Sequence, residues 1–111
     1  MNNETFGKAC KALGDPTRLQ IIGFLSTCCC AQATIRESGD VESPTAGQVC
    51  CHVTGAEKIN STISHHLHEL EAAGLIRMEK RGTAALCRLN QETLLELASY
   101  ATRLASGENH D

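Results

Sequence analysis

What most constrains this chain is the order of elements between Ala46 and Leu89, where two short helical patterns run directly into two strand-like segments. AGQVCCHVT reads as a short helix broken by Gly55, and GAEKI forms the turn into a second helix capped by Asn60. In STISHHLHELEAA the apolar residues Ile63, Leu67 and Leu70 recur at i, i+4 and i+7. That spacing leaves Thr62, His65 and Glu69 on the outer face, and Gly74 closes the helix. LIRMEK and TAALCRL are short enough to be strands and meet at Arg81-Gly82, so they read as a hairpin with a basic tip. Two helices joined by a tight turn and followed by such a hairpin make a helix-turn-helix with a wing, in which the second helix enters the DNA major groove by its N-terminal residues.

The rest of the chain is expected to frame this unit. A first helix runs through TFGKACKALG and stops at Gly14, a residue suited to the left-handed conformation beyond helix ends. Asp15 and Pro16 open a second helix, PTRLQIIGFLST, with Leu19, Ile22 and Leu25 or Ser26 facing inward. Helical periodicity is then lost, and an exposed acidic loop is expected over about residues 31–46. A last helix begins at Asn90 with Leu94, Leu97, Ala98, Ala101 and Leu104 along one side, and the tail from about residue 106 should fray. The fold class expected is therefore mainly α with a small β-hairpin: a winged helix-turn-helix of five helices and a two-stranded wing, forming one domain over residues 1–111.

Composition agrees with a small domain that gains from a partner. With 41% hydrophobic but 3% aromatic residues and no Trp, the core must be built from Leu, Ile, Val, Ala and some cysteines. No stretch approaches the roughly 20 apolar residues that span a bilayer, and MNNETFGKACKALGD has neither the basic nor the apolar region of a signal peptide. A cytoplasmic protein with no membrane partner is expected. The net charge of −3 is unevenly spread, because residues 58–88 carry a surplus of positive charge while residues 31–57 and 91–111 are acidic. Such segregation is what a face meant for phosphates requires.

Ser61, Thr62, Ser64 and His65 are short or polar groups suited to base edges and phosphates, and Lys58, Lys80 and Arg81 can neutralise backbone charge. Spacing alone equally allows an amphipathic helix followed by a solvated basic turn. The motifs ALGDPTRLQII and STISHHLHELEAAGLI, with the hairpin from Lys80 to Leu89, resemble in order and spacing the ArsR/SmtB family of metal-sensing bacterial repressors. The resemblance covers Ala12 to Leu89. It implies a homodimeric repressor, paired through its first and last helices, that releases double-stranded operator DNA when an inducer binds. By position, Ser61 to His66 match the family's recognition helix, which brings His66 into the DNA-binding set, and Lys80 to Thr83 match its wing.

The seven cysteines of a cytoplasmic chain point to reduced thiols rather than structural disulfides. Counted back from Ser64-His65-His66, Cys50 falls where the second cysteine of the family's ELCVCDL metal box lies, whereas the first falls on Gln48. This chain has instead Cys28, Cys29 and Cys30 at the end of the second helix and Cys51 beside Cys50. These five are the candidate metal ligands. Three soft thiolates suit an arsenite-type As(III) inducer, and Cd(II), Pb(II), Hg(II) or Zn(II) could use three or four. Successive helical residues point about 100° apart, so Cys50 and Cys51 share one ion only where the helix frays or starts. His52 could assist. Cys10 is expected in the core, with Phe6 and Leu13 at helical spacing from it, and Cys87 is expected to be structural. The last helix offers no histidine before the tail for the zinc site that relatives build there.

Two other functions compete. The same cysteines could serve a thiol redox or persulfide-sensing repressor through a disulfide or polysulfide bridge. A thiol enzyme with Cys as nucleophile and His as base belongs to a different class, but no oxyanion-forming loop or third orienting residue accompanies the pair. The chain is expected not to be an enzyme.

Overall fold

Each of the first four helices begins where a side chain covers N–H groups that the first turn leaves unpaired. The computed structural model describes residues 1–27, 34–35, 41–56 and 58–107. In α1 (Asn3–Leu13) the Asn2 side chain accepts from the Thr5 backbone at 2.8 Å, and Thr5 Oγ1 accepts in return from Asn2 at 2.9 Å. In α2 (Pro16–Thr27) Asp15 Oδ2 accepts from the Arg18 backbone at 3.1 Å. Thr45 and Gln48 form the same reciprocal pair ahead of α3 (Ala46–Thr54), at 3.1 and 2.9 Å. Asn60 accepts from Ile63 at 2.9 Å to start α4 (Ser61–Ala72). The last helix, α5 (Gln91–Ser106), lacks such a cap. Its flanking Asn90 instead donates through Nδ2 to the Gly74 carbonyl and through its backbone to Leu75, both at 2.9 Å, which ties the start of α5 to the end of α4.

The fold is the expected winged helix-turn-helix, with five helices among the described residues and a two-stranded antiparallel wing. Strands β3 (Ile76–Arg81) and β4 (Ala84–Leu89) pair from Ile76 with Leu89 to Arg81 with Ala84, leaving Gly82 and Thr83 as the loop. Gly82 has φ +63°, which the tight connection between twisted strands favours. Within the stretch expected as an irregular acidic loop there is a short antiparallel pairing of β1 (Thr34–Ile35) with β2 (Val41–Glu42). The chain then joins the wing. Cys87 donates its backbone N–H to the Pro44 carbonyl at 2.8 Å, and Thr45 bridges Leu86.

The core is shared among the helices and the wing. Ile63, Leu67 and Leu70 of α4 are buried as their spacing predicts, against Ile21, Ile22 and Leu25 of α2, Val49 and Cys50 of α3, and Leu75 and Ile76. Full burial of each such aliphatic side chain contributes roughly 1.5–3 kcal/mol. Tyr100 and Phe6, with ring centroids 4.4 Å apart, fasten α5 to α1.

Three further details differ from expectation. Leu19 is 53% exposed, because Arg18 takes the inward position of the first turn of α2 and the buried stripe runs through Ile21, Ile22 and Leu25. Gly14 keeps a right-handed conformation at φ −71°. The helix ends there because Pro16 disfavours helical geometry at Asp15, and no left-handed cap is needed. Cys10 is exposed. The inner face of α1 carries Ala9 and Ala12, and Cys10, next to Ala9, is turned about 100° away from it. No helix among the described residues is long and apolar enough to cross a membrane.

Candidate nucleic-acid interface and cysteine cluster

The capped start of α4 presents a polar edge. Ser61, Thr62 and His65 are exposed, Ser64 is half-buried, and Lys58 lies in solvent on the preceding turn. Capping by Asn60 leaves the helix N-terminus in front of these side chains, where its N–H groups favour phosphate oxygens. On the wing, Lys80 and Arg81 are exposed beside the Gly82-Thr83 loop. Arg81 leans on Glu79 at 3.5 Å, as does Arg88 at 3.9 Å, whereas Lys80 has no ion pair among the described residues. Exposed pairs of this kind hold a side chain by about 1 kcal/mol or less, so Arg81 can be released to a phosphate.

His66 is placed differently from His65. Its side chain is 15% exposed and its Nδ1 accepts from Arg18 Nε at 3.0 Å, with Asp15 Oδ2 3.9 Å away. Arg18 also reaches the Ala12 carbonyl through Nη1 at 3.5 Å. This small cluster locks α4 onto the junction of α1 and α2. His66 therefore positions the helix rather than lying on its outer face. Sequence reading misses the cluster, since Asp15 and Pro16 signal a helix start alone. The one local sign of it is Arg18, a cation in the inward register of an otherwise apolar helix. His68 is exposed on the flank of α4.

The cysteines divide sharply by environment. Cys50 is fully buried in α3, where its sulfur donates to the Lys58 carbonyl at 3.5 Å and lies 3.6 Å from Thr54 Oγ1. Cys51 is exposed on the same helix. Both lie in regular helix well past its start, so their side chains diverge and do not converge on one ion. Gln48, which falls at the family's first box cysteine, closes the capping pair of α3. His52 stacks on Phe24 with centroids 4.1 Å apart, at the edge of a concavity of about 230 Å³ between α2 and α3. Cys28, Cys29 and Cys30 lie outside the described residues. Among the described residues no group of three His, Cys, Asp or Glu side chains could hold a metal ion. Within one protomer, a three-thiolate site would therefore include at least one of Cys28, Cys29 and Cys30. Cys87 is buried between wing and core, and that burial, with the charge of Glu71 as a lesser cause, pushes its thiol up from 9.0 to about 11.

Comparison with known proteins agrees with this architecture. No family model matches the chain. An uncharacterized HTH-type transcriptional regulator of Methanocaldococcus jannaschii is 37% identical over 73 residues, covering 66% of this chain and 64% of that protein. The match thus spans just under two thirds of the relative's length. Among solved structures, an ArsR family transcriptional regulator superposes with TM-score 0.70 at 21% identity, over 100% of this chain and 98% of that one. A protein described as a possible transcriptional regulator for arsenical resistance gives 0.61 at 22% identity, over 93% and 98%. The homodimeric winged helix-turn-helix DNA-binding domain of a possible ArsR-family regulator from Mycobacterium bovis gives 0.62 at 18% identity, over 97% and 83%. This chain accordingly has the winged helix-turn-helix fold of ArsR-family regulators. The proteins it resembles in sequence and structure are described as transcriptional regulators or possible ones.

Proposed function

We propose that this chain is an ArsR-type repressor that binds operator DNA as a homodimer and leaves it when a thiophilic metal or metalloid binds cysteine thiolates. The observation that carries the DNA reading is the joint exposure of Ser61, Thr62 and His65 at a capped helix start with Lys58, Lys80 and Arg81 in solvent around them. On this reading the cations take phosphates and set the register, while Thr62 and His65 meet base edges.

The dimer is supported by the side of α5 turned away from the core, where Leu95 is 69% exposed and Ala98 is also in solvent. The homodimeric neighbour of the same fold adds to that support. For the inducer, the exposed Cys51 together with Cys28, Cys29 and Cys30 makes a soft donor set suited to arsenite, with Cd(II), Pb(II), Hg(II) or Zn(II) as alternatives. Cys50 is the less accessible ligand, because its sulfur is fully buried against the Lys58 carbonyl. A neighbour described as a possible regulator for arsenical resistance favours the metalloid.

The test is fluorescence anisotropy on duplexes selected from a random library, first without metal and then with arsenite, Cd(II), Pb(II) or Zn(II) beside an oxidant. Selection of a two-fold symmetric site that is released by a thiophilic ion supports the proposal. Failure to enrich any duplex refutes the DNA reading, and release by oxidant alone transfers the sensor to redox chemistry.

A further inference from the structure

Away from the wing, a concavity of about 210 Å³ opens between α1, the start of α2 and the far end of α4. Lys8, Lys11 and Arg18 line it with Glu69, and Ala12, Ala72 and Ala73 supply small walls that leave the space open. In a chain of net charge −3, three cations around one hollow repel one another unless something anionic sits between them. Glu69 offsets only one of the three charges, and neither lysine has an ion pair among the described residues. Arg18 is half-buried and already aligned: Nε is held by His66 and Nη1 by the Ala12 carbonyl, and Nη2 makes no hydrogen bond among the described residues.

We infer that this cleft binds a phosphate group, taken by the fixed Arg18 guanidinium and the two α1 lysines. An anchored guanidinium suits tetrahedral oxyanions because its N–H groups form a planar fork, and the lysines add charge that adapts to the ligand. The group can come from a free phosphate-bearing molecule or from the DNA backbone. In the second case the proposal rests on the DNA reading above. Glu69 follows Ser61 by eight residues, about 12 Å along the helix axis, and a major groove is about 8.5 Å deep. A helix entering by its start therefore carries the cleft toward the phosphate rim. A ligand here would also touch Arg18, the residue that holds His66 and so the orientation of α4.

The experiment uses the full chain and the variant Lys8→Gln/Lys11→Gln, whose substitutions are at exposed positions and leave the core intact. Inorganic phosphate is titrated at constant ionic strength while the amide resonances of Ala12, Ala72 and Ala73 are followed. Separately, affinity for a selected duplex is measured against salt. Saturable shifts in the wild type that the variant loses, with an unchanged salt slope, assign the site to a free phosphate ligand. A salt slope lowered by about 0.9 for each lysine removed assigns it to the DNA backbone. If the chain binds no duplex at all, the phosphate titration still decides the matter alone. Absence of saturable shifts together with an unchanged slope overturns the inference.

Discussion

If the chain pairs through the outer side of α5 as proposed, replacing Leu95 with Glu should dissociate that dimer while leaving the protomer folded. Leu95 is 69% exposed on α5, whereas Leu97 and Tyr100 on the same helix are buried in the protomer's own core. Full burial of a leucine contributes roughly 1.5–3 kcal/mol, so Leu95 has about 1–2 kcal/mol still to gain when an interface covers it. Two-fold symmetry counts the residue twice, and the substitution therefore removes about 2–4 kcal/mol per dimer. At about 1.4 kcal/mol for each factor of ten, the dissociation constant rises about 30- to 1000-fold. Desolvation of the two new carboxylates adds to this. Sedimentation equilibrium across micromolar concentrations should show a dimer for the wild type and a monomer for the variant, with matching far-ultraviolet dichroism. A variant that keeps the dimer mass would refute the reasoning and move the interface off this face.

Further outcomes follow from the same structure. Lys80→Ala with Arg81→Ala should weaken binding to all duplexes and reduce the salt slope by about 0.9 for each phosphate no longer neutralised, while Thr62→Ala or His65→Ala should change which sequences are selected; unchanged affinity and preference in both sets would remove this surface from the interface. Cys51→Ser should keep DNA binding in metal-free buffer and lose release by arsenite or Cd(II), along with any thiolate-to-Cd(II) absorption band, and persistence of both would place the sensor elsewhere. Cys87 titrates higher folded than unfolded, so above pH 9 the unfolded chain sheds a proton that the folded chain retains. Stability is then fully present below about pH 9 and falls by up to about 3 kcal/mol on the way to pH 11; urea melts of Cys87→Ala should lack this component of the alkaline loss. Arg18→Lys should loosen α4 by removing the planar donor to His66, seen as faster amide exchange from Ile63 to Leu67 without loss of the fold, and unaltered exchange would deny Arg18 its positioning role.

Local chemistry made much of the fold legible. Asn60 before Ser61, Thr45 before Ala46 and Asp15 before Pro16 are starts that a helix needs whatever surrounds it, and the period of Ile63, Leu67 and Leu70 names a buried face without reference to what covers it. The wing follows from two short runs and a glycine that accepts φ +63°. The candidate interface was legible for the same reason, because Thr62, His65, Lys80 and Arg81 are exposed wherever the apolar stripe of α4 and the hairpin turn are placed.

Other features arise from contacts between residues far apart in the chain, to which periodicity is blind. Arg18 and His66 are 48 positions apart, and their hydrogen bond holds His66 against the start of α2, while Leu19 points outward because the buried stripe of that helix runs through Ile21, Ile22 and Leu25. Cys50 and Cys51 are chemically alike in sequence, yet the packing of α3 against the core buries one against the Lys58 carbonyl and leaves the other in solvent. Cys10 lies at a spacing that allows burial and is turned outward by the side of α1 that Ala9 and Ala12 occupy. The sequence by itself determined the elements, their order and the polar edge at the start of α4, since caps, turns and apolar period act within a few residues. Tertiary structure alone decided which polar groups are locked and which are free, because burial and ionisation depend on neighbours that only folding brings together.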